Sequence, residues 1–132
     1  MKLLRLGLLG ASALLFLSSG AWGWQTNING TANDFELAFA VTVDARGDVV
    51  AAGSTVNTGT FTDFTVVKLA GATGVELWRQ AINGTANVSN DQAFAVTVDA
   101  RGDVVAAGYT TNSGTFTDFT VVKLRGRDGR NF

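Results

Sequence analysis

Residues 38–69 read AFAVTVDARGDVVAAGSTVNTGTFTDFTVVKL, and residues 93–124 repeat them at a shift of 55 with 29 of 32 positions identical. Only Ser54/Tyr109, Val56/Thr111 and Thr58/Ser113 differ. Within each copy, Ala38 to Asp44 alternates large and small residues with the period of a strand. Asp48 to Thr55 is an apolar run suited to a strand covered on both faces. Phe61 to Leu69 is rich in Phe, Thr and Val, which suit a pleated surface. Gly74 to Ile82 alternates again. Ala45-Arg46-Gly47, Asn57-Thr58-Gly59 and Gly71-Ala72-Thr73-Gly74 supply turn chemistry between these runs. Tight turns make neighbours antiparallel, so residues 38–82 are expected to form one complete four-stranded blade with strand 38–44 innermost. Small side chains on that strand suit a crowded centre.

Upstream, Trp24 to Asn33 matches Trp78 to Asn87 at a shift of 54, sharing the Trp, an Ile and the run Asn-Gly-Thr-Ala-Asn. Residues 24–28 are therefore expected to be a strand left over from the pattern, and residues 83–92 a connection between blades. The second copy, 93–125, has three strands and no following Trp strand. The basic residues Arg125, Arg127 and Arg130 read as a solvated tail.

The pattern Asp-Ala-x-Gly-Asp-Val-Val-Ala-Ala-Gly, then Thr-Asp-Phe-Thr-Val-Val-Lys-Leu, then Gly-x-x-x-Trp, resembles the β-propeller repeats of exported bacterial proteins. The Gly74-Val-Glu-Leu-Trp78 stretch is also similar to quinoprotein propeller repeats, in which a Gly turn and a Trp tie neighbouring blades. The resemblance spans residues 24–132. It implies an all-β, β-propeller-like fold of two repeat blades in an incomplete ring, since rings have four to eight blades. Two routes to closure are expected: assembly of identical chains, or membership of a larger propeller. In a ring of chains, strand 24–28 of one would complete the three-stranded blade of the next. Two chains would give four blades and three would give six.

Residues 1–23 read as a signal peptide. Lys2 and Arg5 precede the uncharged run Leu6 to Leu17, and Ala21 and Gly23 stand at the small-residue positions of a cleavage site. The mature chain is expected to begin at Trp24, with Trp22 as the alternative. Twelve apolar residues fall short of the ~20 that span a bilayer. A secreted, periplasmic or cell-envelope protein follows, without stable membrane insertion after cleavage.

Composition narrows the function. The chain has 10 Lys plus Arg, 11 Asp plus Glu, no His and no Cys. It lacks the basic surface that nucleic acid requires. It lacks the commonest general base and any thiolate nucleophile. No catalytic, cofactor or metal residues are assigned. The copies have hardly diverged, whereas a catalytic site on a repeat usually breaks its symmetry. A noncatalytic structural or ligand-binding module is therefore expected. A fragment of a quinoprotein-like enzyme and a truncated remnant of a longer propeller are the alternatives.

Candidate motifs have structural readings beside them. Arg46-Gly47-Asp48 and Arg101-Gly102-Asp103 spell the integrin-binding tripeptide, but they stand where a hairpin needs its turn. Asp44/Asp99, Asp48/Asp103 and Asp63/Asp118 are read as turn caps rather than Ca²⁺ ligands, which come in denser clusters. Trp24 and Trp78 are read as packing between blades rather than stacking on sugar. Tyr109, Thr110, Asn112 and Ser113 form a polar, aromatic-bearing stretch, read as a weak candidate loop for a glycan or protein ligand.

Overall fold

The computed structural model describes residues 23–132, and the signal-peptide reading therefore lies outside the described residues except at Gly23. The described chain is all-β, with two sheets and no helix. β1 (Leu37–Val43), β2 (Val49–Asn57), β3 (Phe61–Leu69) and β4 (Glu76–Ile82) form an antiparallel meander in sequence order. β5 (Ser89–Asn90) adds two residues, pairing parallel with Phe61 and Thr62. β6 (Gln92–Val98), β7 (Val104–Asn112) and β8 (Phe116–Leu124) form the second antiparallel sheet. Registers are the same in both copies: Val50 faces Lys68 as Val105 faces Lys123, and the first strand of each copy carries a bulge, at Ala38/Ala40 and at Ala93/Ala95.

Period two explains which residues meet. One face of the first sheet carries Val50, Ala52, Phe64, Val66 and Trp78. It packs on the face of the second sheet that carries Val104, Ala106 and Leu124, with Ala93 between them. The two sheets thus stack face to face with unlike faces in contact, and β1 lies beside β6. Phe39 and Phe94, equivalent residues at the two bulges, bring their rings to 5.1 Å across this junction. The outer face of β1 stays open, with Val41 and Val43 exposed, so alternation there does not report burial within the chain.

Several boundaries differ from the sequence reading. Residues 24–28 make no sheet pairing among the described residues. They lie against the far face of the first sheet instead of extending it. The connection 83–92 is not featureless: it contains β5, and β6 begins within it at Gln92. Residues 125–130 form a closed turn, in which Arg125 N donates to Arg130 O and Gly129 N to Arg125 O, while Arg127 and Arg130 stay exposed. Ala70 N to Val75 O and Gly74 N to Ala70 O form the same turn in the first copy.

That turn receives a tryptophan. Trp78 Nε1 donates to Gly126 O at 3.0 Å, and its ring lies on Gly129, whose φ of +71° and missing side chain both require glycine. A Cβ there would come within 2.6 Å of the ring. Trp24 treats the first copy alike, donating Nε1 to Gly71 O at 2.8 Å and lying on Gly74. Both tryptophans pack on glycine turns, Trp78 of the first sheet on the second sheet and Trp24, which belongs to no sheet, on the first.

Candidate functional site

Each repeat builds a charged corner from its first turn. In the first copy Asp44 Oδ1 accepts Arg46 N and Asp48 N, and Gly47 takes φ +85°. Asp99 holds Arg101 N and Asp103 N in the second copy, with Gly102 at +83°. The Arg-Gly-Asp tripeptides are therefore capped hairpin turns. Asp48 Oδ1 also accepts Gly71 N, and Asp103 Oδ1 accepts Gly126 N, which fixes the Trp-bearing turn to the first one.

The lysine of β3 completes the corner. Lys68 Nζ lies 2.6 Å from Asp44 Oδ2, 3.5 Å from Asp48 Oδ2, and donates to Gly126 O of the other sheet at 3.1 Å. Its counterpart Lys123 lies 2.7 Å from Asp99 Oδ2 but is open to solvent. Among the described residues no group of three or more His, Cys, Asp or Glu side chains could hold a metal ion. Asp44, Asp48, Asp99 and Asp103 instead accept backbone N–H groups, with lysine on Asp44, Asp48 and Asp99.

This arrangement sets an acid limit. Burial pushes the Asp44 carboxyl up, but the Lys68 hydrogen bond and the N–H groups of Asp48 and Arg46 outweigh it and leave it below its ordinary value. Asp99 is held at about 2 by its bond from Lys123 and by Asp103 N. A carboxyl depressed in the folded state contributes stability that is complete above the unfolded pKa and is lost as pH falls through the folded one. The thermal midpoint is expected to stay level from about pH 7 to 5 and to fall between about pH 4 and 2. Circular dichroism melts across that range check this, and Asp99→Asn should remove part of the acid-side fall.

A second network lies at the opposite end of the strands. Asn112 Nδ2 donates to Thr110 Oγ1 and Asp118 Oδ2, while its Oδ1 accepts Thr85 N. Asn57, Thr55, Asp63 and Thr31 repeat this in the first copy. Thr110 is buried against Thr120 at 2.8 Å. Thr110 and Asn112 therefore hold their own strand and the connection beside it.

Tyr109, Thr110 and Asn112 belong to β7, and only Ser113 lies in the turn that follows. The four residues are not one loop. Tyr109 stands mid-strand on the outward face of the second sheet. Its ring is 5.7 Å from Phe94, extending the Phe39–Phe94 pair into a row. Phe94, Ala95, Ala107, Gly108, Tyr109 and Phe119 line one shallow, almost wholly apolar depression. Phe119 is 84 % exposed and Val121 55 %, whereas their counterparts Phe64 and Val66 are both 0 % exposed.

Two of the three positions where the copies differ acquire a meaning here. Ser54 and Val56 are buried in the layer between the sheets, while Tyr109 and Thr111 occupy the same positions on the open face. Tyr109 was the one distinguishing residue visible in the sequence. Phe94, Phe119 and Val121 were not, because their copies in the first repeat are identical.

No protein-family model matches the chain, and no curated protein matches it.

Proposed function

We propose that the protein is a noncatalytic, exported repeat module with propeller-like stacking, and that it works by binding through the outward face of its second sheet. The observation that carries this reading is the open apolar surface around Tyr109, Phe119 and Val121. Exposed apolar patches on soluble proteins mark interaction sites. The counterparts of Phe119 and Val121 on the first sheet, Phe64 and Val66, lie in the core, so the surface is built to be covered. The absence of His and Cys from the sequence supports a noncatalytic role. The aspartates of the first turns support it too, since Asp44, Asp48, Asp99 and Asp103 are engaged in capping and ion pairs.

A photo-crosslinking amino acid in place of Phe119, introduced in cells, tests the surface. Adducts are expected at 119 and not at Arg127, which lies at the turn end of the sheets. Adducts at 127 with none at 119 would overturn the reading.

A further inference from the structure

Residues 24–36 lie on the first repeat as residues 78–91 lie on the second. Trp24 donates to Gly71 O as Trp78 donates to Gly126 O. Ala32 N donates to Val56 O as Ala86 N donates to Thr111 O. Thr31 N donates to Asn57 Oδ1 as Thr85 N donates to Asn112 Oδ1. Glu36 bridges Gly30 N and Val56 N as Asp91 bridges Gly84 N and Thr111 N. Residues 78–82, however, are at the same time the fourth strand of the sheet stacked on that repeat, paired with β3. Residues 24–28 hold the equivalent place with no β3 beside them.

The counterpart of that missing strand is on the same molecule, facing away. β8 repeats β3, and its outer edge from Phe119 to Lys123 has no strand partner among the described residues. The face it belongs to is the open one, while the first sheet keeps a cleft of about 280 Å³ between residues 26–28 and β1–β2. The interface inside the chain shows how such surfaces join, with the Phe64 face of one sheet on the Leu124 face of the next.

We infer that a second copy of this chain covers the open face of β7 and β8, and that residues 24–28 of that copy pair with β8 as its fourth strand. The inference rests on the binding-surface reading above and names its occupant. The register follows from β3 and β4, where Lys68 faces Trp78, Val67 faces Arg79 and Phe64 faces Ile82. Lys123 then faces Trp24 of the next copy, Val122 faces Gln25 and Phe119 faces Ile28. Docking brings Phe119 and Tyr109 over the cleft on the neighbour's first sheet. It also carries Lys123 to Gly71 O of the neighbour, which among the described residues has one donor, Trp24, where Gly126 O has two. The contact is head-to-tail, so it closes into rings when the rotation allows. Two, three or four copies would give four, six or eight stacked sheets.

Because the chain has no cysteine, a designed disulfide reads the register directly. Oxidised Gln25→Cys/Val122→Cys protein should run as covalently linked multiples on a non-reducing gel. The offset pair Gln25→Cys/Val121→Cys should link at least tenfold less, since successive side chains point to opposite faces. Light scattering of the unmodified chain should give a whole-number multiple of the chain mass. Phe119→Asp, at a position exposed within the chain, should reduce that to one with an unchanged sheet spectrum. A chain that is monomeric at all concentrations, an assembly indifferent to Phe119→Asp, or equal linking by both cysteine pairs would each overturn the inference. Adducts at position 119 with a different molecule would leave the binding surface standing and remove the second copy from it.

Discussion

Replacing Phe64 by Ala is expected to cost about 3–5 kcal/mol of folding stability, while Phe119→Ala in dilute, monomeric protein should stay within about 0.5 kcal/mol. The two residues have the same neighbours in sequence and the same cross-strand register, Phe64 against Ser54 and Phe119 against Tyr109. What separates them is the sheet on the other side. Phe64 is wholly buried between the sheets beside Ala93 and Leu124, and truncation leaves a cavity that rigid strands cannot collapse into. Phe119 has solvent where Phe64 has a sheet, so its ring has little burial to lose. Domains of this size are stable by roughly 5–15 kcal/mol, so the Phe64 change takes a large share and the Phe119 change almost none. Urea denaturation of the two variants measures both, and equal losses would contradict the asymmetry. At concentrations where copies assemble, Phe119→Ala should acquire a cost of its own, seen as a melt that no longer rises with concentration.

That contrast also shows where sequence reading reaches its end. The strands were legible because β-propensity, period two and Gly-bearing turns agree in Ala38 to Ile82. The order of the meander followed from the shortness of its turns. The turn at 125–130 was harder to see, since Arg125, Arg127, Asp128 and Arg130 surround the two glycines that matter. Gly126 and Gly129 do stand 55 residues after Gly71 and Gly74, and that spacing was the available signal. Glu36 and Asp91 carry a similar signal, a carboxylate at the same shift just ahead of each copy. Residues 24–28 were read as a strand because their sequence is that of a strand, but a strand exists only beside a partner. For the same reason no local pattern could tell that Phe64 is core and Phe119 is surface. Burial is decided by what a neighbouring sheet covers, and identical sequences carry identical local information. Tyr109 escaped this degeneracy by differing from Ser54, although its place mid-strand rather than in a loop came only from the register.

Lys68→Met is expected to destabilise the chain by about 3–5 kcal/mol, and Lys123→Met by no more than about 1 kcal/mol. The side chains of Lys68 and Asp44 are 7 % and 6 % exposed, against 46 % for Lys123 and 29 % for Asp99. Removing the lysine charge at the first site leaves the Asp44 carboxylate buried with only backbone N–H groups to hold it, and leaves Gly126 O with Trp78 as its one remaining donor. At the second site water replaces the lost partner. The pH dependence separates lost electrostatics from lost packing. With Lys68 in place the Asp44 carboxyl lies below its ordinary value, and acid removes stability. Without it the Lys68 bond and charge no longer lower that carboxyl while burial still raises it, so its folded pKa rises and the added penalty at neutral pH is relieved as the pH falls through that higher value. The deficit of Lys68→Met relative to the unchanged chain should therefore shrink between about pH 7 and 4. Asp44→Asn in the same background should recover part of the loss at neutral pH, because an amide oxygen can still accept from Arg46 N and Asp48 N without a buried charge. A deficit that is constant with pH, and unmoved by Asp44→Asn, would mean that Lys68 acts through its bond to Gly126 O rather than through Asp44.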